Sequence, residues 1–314
     1  MLQIKKATRR ACKLRLGLTG PSGSGKTMSA LKLAYGLIKD WSKILVIDTE
    51  QESSALYSHL GGFDLLGLDA PYTPEKYIEA LRMAVEANYE VIIIDSISHE
   101  WEGTGGCLEI HANRAARPGA NSYTEWNHVT PRHKRFLQAI VSAPAHVICC
   151  GRMKSDIEIQ KVTNSHGKEV STPVKVGTKT ITREGFDYEM TLCLDLAMNH
   201  EATSNKDRTN LFDGLDPFVI NDKTGETLLE WLKGDAPASE ADIKERQKLW
   251  DEATGELAPL KREIARLLTE NNPGQEGVVL QRLTGLPSLV HENDIEKLKS
   301  AKEIIIRHYQ ADAA

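Results

Sequence analysis

Eight residues near the start of the chain, Gly20-Pro21-Ser22-Gly23-Ser24-Gly25-Lys26-Thr27, have the types and order that hold a chain of phosphates. Glycines let successive backbone N–H groups turn inward around anionic oxygens, and the N-terminus of the following helix adds its positive dipole end. Lys26 can reach the terminal phosphates, and the Thr27 hydroxyl can ligate Mg²⁺. Gly20, Ser22, Gly23, Ser24 and Gly25 form the cradle itself. A chance glycine-rich turn is the other reading, but the motif sits where the chemistry needs it, after an apolar strand and at the opening of a helix.

Phosphoryl transfer then needs an acid for the metal and a second group for the attacking water. Val91-Ile92-Ile93-Ile94-Asp95-Ser96 supplies the first, because Asp95 ends an apolar strand, where ligands of open α/β sheets collect. A cap after a strand would use the same residue. The residue after Asp95 is Ser96, a departure from the Asp-Glu pair of AAA+ and ABC-type ATPases, and no LSGGQ-like signature occurs. The nearest candidate for the water is Glu50, just past the strand in KILVIDTEQES, where a neighbouring parallel strand would aim a carboxylate at the phosphates. A surface acid is the alternative at that position.

The elements that must place these groups follow from short apolar runs, Leu14 to Leu18, Ile44 to Ile47, Val91 to Ile94, His146 to Cys150 and Met190 to Leu196, alternating with helical patterns. Alternation of this kind predicts an α/β fold with a mostly parallel sheet flanked by helices. Thr73-Pro74-Glu75 reads as a helix start, Thr130-Pro131 reads as another, and Gly103 to Asn121 reads as a glycine-rich loop. A cluster of Gly, Pro, Ala and Ser at 234–239 divides the chain into residues 1–234 and a small α-helical domain, 235–314, in which Ser239 and Asp242 suggest a capping box. That second part holds 11 basic and 15 acidic residues, a balance that suits a helical bundle which could recruit a protein partner.

The 314 residues carry 39 Lys plus Arg against 44 Asp plus Glu, so nucleic acid could be met only by a local basic surface. Five cysteines form no CxxC pair and no Cys/His spacing suited to zinc, which predicts reduced thiols. No run approaches the ~18 apolar residues of a membrane helix, and the basic N-terminal stretch lacks a signal-peptide core, so no membrane partner and a cytoplasmic location are expected.

With these motifs in place, roughly residues 12 to 220 resemble a RecA-like P-loop ATPase, in particular the phage ATPases of single-strand annealing and recombination. The resemblance implies ATP and Mg²⁺ as ligands, Glu50 as the acid that activates water, Asp95 as the magnesium acid and Tyr57, seven residues after Glu50, as an adenine-stacking ring. Tyr57 would equally serve as a core aromatic. Val147-Ile148-Cys149-Cys150-Gly151-Arg152-Met153-Lys154 resembles the strand that senses the γ-phosphate and enters a DNA-binding loop, with Cys150 where the family has glutamine. Trp101, Arg114, Arg117 and Trp126 flank or lie in the segment that resembles the family's first DNA loop. Lys206 and Arg208 match a region from which the family reaches the nucleotide of the next subunit, so the resemblance implies a homo-oligomer, a ring or filament. A surface pair is the other reading.

Arg152, Lys154, Lys161, Lys168, Lys175, Lys179 and Arg183 face only three acids between residues 152 and 183, a local balance of +4 in an acidic protein. Alternation on either side of Asn164-Ser165-His166-Gly167 predicts a hairpin that could lay ammonium groups along single-stranded DNA, or a plain solvated hairpin. The function expected is ATP hydrolysis on single strands in phage recombination or replication, by annealing or strand exchange, in the host cytoplasm if phage-encoded. The alternatives are a small-molecule P-loop kinase and a nucleotide-dependent scaffold.

Overall fold

The computed structural model describes residues 12–163, 169–234, 236–255, 257–289 and 295–312. The first half runs β1 (Arg15–Gly20), α1 (Lys26–Ile38), β2 (Ile44–Asp48), β3 (Asp64–Gly67), α2 (Pro74–Glu86) and β4 (Val91–Asp95), then α3 (Ser98–Glu102), α4 (Cys107–Ala115) and α5 (Ser122–Ser142). A long strand, β5 (His146–Thr163), turns back as β6 (Glu169–Thr180), and a short α6 (Phe186–Glu189) precedes β7 (Leu192–Leu196), β8 (Glu201–Asp207), β9 (Phe218–Val219) and α7 (Asp222–Lys233). Four helices complete the described chain: α8 (Glu240–Thr254), α9 (Leu257–Asn271), α10 (Glu276–Thr284) and α11 (Ile295–Asp312).

The sheet order is β3-β2-β4-β5-β1-β7-β8-β9, with β6 paired to β5 outside that path. The five pairings from β3 to β7 are parallel, and those of β5 with β6, β7 with β8 and β8 with β9 are antiparallel. This is the mostly parallel, helix-flanked sheet that the RecA-like resemblance implies. Strands β1, β2 and β4 are buried along their whole length, which is why they read as largely apolar runs, with Arg15 and Thr19 as buried polar residues in β1.

Two apolar layers cover the sheet. Leu81, Phe136 and Ile140 of α2 and α5 pack on Ile47, Ile92 and Val147, while Leu31, Leu37 and Leu228 of α1 and α7 pack on Leu16, Ile93 and Leu194. Helices α1 and α7 touch backbone to backbone: a Cβ on Gly36 would lie 2.1 Å from the Asp222 carbonyl, and one on Gly225 would lie 2.3 Å from that of Leu33. Helix α8 starts at the expected Ser239/Asp242 capping box and buries Trp250 and Ala253 in the α2/α5 layer. Ile264, Leu268, Leu280, Leu298 and Ile305 of the last three helices form a separate cluster.

Two expectations are corrected. Thr130-Pro131 does not open a helix: α5 begins at Ser122, with the Asn121 side chain accepting from the Tyr123 N–H at 2.9 Å, and Pro131 lies inside it. Proline forfeits one backbone donor there, and burial of Phe136 and Ile140 holds the helix through the break. The segment from Gly103 to Asn121 is not a plain loop either, since it contains α4. Thr73-Pro74 does open α2, where Thr73 Oγ1 accepts from the Lys76 N–H.

Candidate active site

The loop between β1 and α1 has the backbone its glycines allow. Gly23 and Gly25 adopt φ of +82° and +86°, a region that side chains resist. At Gly20 the limit is space, because a Cβ would lie 2.6 Å from Ser24 Oγ and 2.7 Å from the Leu196 carbonyl. The first N–H groups of α1 have no partner within the helix and open onto the cradle. Lys26 is buried and donates to the Gly20 and Pro21 carbonyls at 3.0 and 2.9 Å. Ser24 Oγ is buried with no hydrogen-bond partner, an orphaned hydroxyl that suits a phosphate oxygen. His200, which the sequence did not single out, braces the loop through an Nδ1 contact with the Ser24 carbonyl at 3.0 Å.

Asp95 meets the helix that the loop opens: the Thr27 hydroxyl donates to its carboxylate at 2.6 Å. Burial pushes the Asp95 carboxyl up to about 6; the Thr27 bond and Lys26 oppose the rise, and the charges of Glu50 and Asp48 add to it. A buried acid under this strain is relieved by a cation, so Thr27 and Asp95 fit the two protein ligands of a magnesium ion. Parallel register sets Asp48 beside Asp95 and Asp95 beside Cys150. Asp48 holds the turn after β2 by accepting from the Glu50 N–H at 2.6 Å and the Ser54 N–H at 2.8 Å. Thr49 ties the same turn to β4, because its hydroxyl accepts from the Ser96 N–H at 2.8 Å and contacts His99 Nδ1 at 2.8 Å.

Glu50 stands past the end of β2 and is gripped by Arg152, whose Nε and one terminal nitrogen reach the same carboxylate oxygen at 3.0 and 2.8 Å. Arg152 is opposite Gly20 in the β1/β5 register and is anchored by its own N–H, which donates to Ser98 Oγ at 2.9 Å. Lys26, Thr27, Asp95, Glu50 and Arg152 thus converge at the carboxyl ends of β1, β2, β4 and the core part of β5. Cys150, at the place where the resemblance implies a sensing glutamine, is fully buried, and burial pushes its thiol well up. Tyr57 is half-buried and packs against the α1/α7 layer.

Beyond Arg152, β5 leaves the sheet and pairs with β6 as the expected hairpin, with Thr163 opposite Glu169 as the outermost pair among the described residues. Lys154 and Lys179 are directly opposite each other at its foot, and Lys161 and Lys175 lie further out. Lys168 lies outside the described residues, as do Lys5, Lys6, Arg9 and Arg10. Arg15 is a structural residue, buried and donating to the carbonyls of Leu14, Val141, Ala143 and Ala145.

The foot of the hairpin borders a cleft of about 970 Å³ lined by Trp101, Trp126, Lys154, Lys179, Arg183 and Lys206, among others. Trp101 and Trp126 stack at 5.7 Å, and the Arg183 guanidinium sits 5.3 Å over the Trp126 ring. The sequence did not join these two aromatics to the basic arm. Lys206, which lines the cleft, donates to the Asp187 carbonyl, and Arg208, just past β8, donates to that of Tyr188 at 2.8 Å.

A family model described as "AAA domain" (AAA_24) matches residues 12–229. Among solved structures, a KaiC-like protein from the hyperthermophilic archaeon Pyrococcus horikoshii is similar at 14% identity and a TM-score of 0.34, over 69% of this chain and 96% of that one. No curated protein matches the chain. No helix among the described residues is long and apolar enough to cross a membrane.

Proposed function

Since the chain belongs to the AAA domain family of P-loop ATPases, we propose that it hydrolyses ATP in a cycle coupled to single-stranded DNA, as a phage recombination or replication protein that anneals or exchanges strands. In this reading the loop amides and Lys26 bind the β- and γ-phosphates, Thr27 and Asp95 hold magnesium, and Glu50 orients the water that attacks the γ-phosphorus. The metal, when bound, neutralises charge on the phosphate oxygens. Arg152 is the switch on Glu50, because the side chain that holds the acid belongs to the strand that becomes the hairpin.

The observation that carries the DNA reading is the cleft at the foot of that hairpin. The Trp101–Trp126 pair, with His111 stacked on Trp126 at 3.9 Å, gives an aromatic wall against which bases can pack without sequence preference, and the surrounding ammonium and guanidinium groups suit phosphates. Lys206, which lines the cleft, and Arg208, bonded to the carbonyl of the lining residue Tyr188, are the proposed trans-acting cations of a ring or filament, and the helices after residue 234 are the proposed site for a protein partner. Hydrolysis measured at low salt with and without an unstructured single strand tests the reading. A stimulated rate, with tryptophan quenching on DNA addition, is the expected result. An unstimulated rate and no quenching refute it.

A further inference from the structure

We propose a second, separate metal site, for a zinc-type divalent ion, in the buried cluster of Glu100, Cys107 and His133. Nothing in the nucleotide chemistry uses these residues. Each comes from a different helix, α3, α4 and α5, and their exposures are 0, 0 and 1%. Cys107 Sγ lies 3.1 Å from Glu100 Oε1, and His133 Nδ1 lies 3.1 and 3.0 Å from the two carboxylate oxygens. One ligand atom from each falls within 4.8 Å of the others.

The separations suit coordination. Zinc bonds of ~2.0 to 2.3 Å to O, N and S put neighbouring corners of a tetrahedron roughly 3.3 to 3.6 Å apart, so these atoms need part by only a few tenths of an ångström. A bidentate Glu100 would bring the donor atoms to four. Carboxylate, thiolate and imidazole are the ligand types of zinc and cobalt, and they differ from the all-oxygen set at Thr27 and Asp95.

Charge makes the same point. A carboxylate with no exposure must have its lost hydration offset by a cation, a proton or hydrogen bonds, and a metal ion held by Cys107 and His133 would do so. Arg132 acts electrostatically on this cluster, but it donates two hydrogen bonds to Glu75, at 2.8 and 2.6 Å. His133 Nε2 is buried without a hydrogen-bond partner, so the ring engages the cluster through Nδ1 alone.

The site would cross-link three successive helices, α3, α4 and α5, through their buried faces. Trp101 follows Glu100 directly, and its ring lies 5.5 Å from His133 and 5.7 Å from Trp126. An ion here therefore fixes the aromatic wall of the cleft.

The test uses the full chain without nucleotide. Elemental analysis should find one zinc-type ion per chain. After chelation, Co²⁺ should bring visible d–d absorption and a near-ultraviolet thiolate-to-cobalt band, and Zn²⁺ should bleach both. Cys107→Ser should lose the thiolate band. Should that variant fail to fold by circular dichroism, the wild type decides: stripping should lower Tm, and Zn²⁺ but not Mg²⁺ should restore it. A folded wild type with no ion and no cobalt spectrum overturns the site, as does a thiolate band unchanged in folded Cys107→Ser, or a Tm that ignores stripping.

Discussion

Arg152 grips Glu50 with two nitrogens on one carboxylate oxygen, although 102 residues separate them in sequence. The acid proposed to orient water is therefore held by the residue with which β5 leaves the sheet for the hairpin. In Glu50→Gln, nucleotide affinity should persist while hydrolysis falls by ~100-fold or more, the range typical of a lost catalytic base. Turnover near the wild-type rate would remove Glu50 from that role. In Arg152→Ala, the ratio of rates with and without single-stranded DNA should approach one, and an unchanged ratio would dissociate the pair from regulation.

Lys26→Ala should leave the circular dichroism spectrum intact and abolish ATP uptake in a calorimetric titration. Asp95→Asn removes a buried charge, so it should raise the Mg²⁺ concentration needed for half-maximal rate without unfolding the sheet. Normal Mg²⁺ dependence in that variant would displace Asp95 from the metal.

Trp126→Ala should weaken single-strand binding by roughly 5- to 150-fold, corresponding to ~1 to 3 kcal/mol of stacking, with little change in salt dependence. Lys154→Ala should do the reverse, lowering the slope of log affinity against log salt by about one while altering low-salt binding less. Equal salt slopes in the two variants would contradict the assignment of bases to the tryptophans and phosphates to the hairpin foot.

If Lys206 and Arg208 act across a subunit boundary, Arg208→Ala and Glu50→Gln chains should complement. A mixture would pair an intact cradle in the first with intact cations from the second, and should hydrolyse ATP faster than either alone. No gain on mixing would place the two cations outside the neighbouring site.

His146 reports on acid stability. It accepts the Leu14 N–H at Nδ1 (2.9 Å), and its pKa is lowered to about 3 by burial, with Lys13, Arg15 and Arg246 adding to the effect. Its folded pKa lies below the unfolded value of about 6.5, so its contribution is full above pH 6.5 and is lost as pH falls from there towards 3. The loss is on the order of a few kcal/mol. His146→Asn keeps an acceptor near the same place and cannot titrate, so its denaturant midpoint should fall less between pH 6.5 and 4.5. Parallel pH profiles would refute this account.

The sheet and the phosphate loop were legible because their causes are local: buried parallel strands are mostly apolar, and glycine spacing is dictated by backbone approach to an anion. Thr130-Pro131 misled because a helix start and a tolerated internal proline look alike when tertiary burial decides. Strand β3 escaped notice, since Asp64–Gly67 is a short edge with mixed exposure. The Glu50–Arg152 pair joins residues 102 apart, and the Trp101–Trp126 stack and the Glu100–Cys107–His133 cluster depend on how three successive helices pack, which residue spacing does not show. The rule that looks for closely spaced Cys and His could not have found the last of these.

The glycine-to-glycine seam between α1 and α7 has a mechanical consequence. With Gly36 and Gly225 in backbone contact, α1 cannot tilt or slide without dragging α7 along, so the nucleotide cradle at its other end behaves as a fixed anvil. Any stroke that accompanies turnover must be taken up across the sheet, on the flank where β5 runs out into the hairpin.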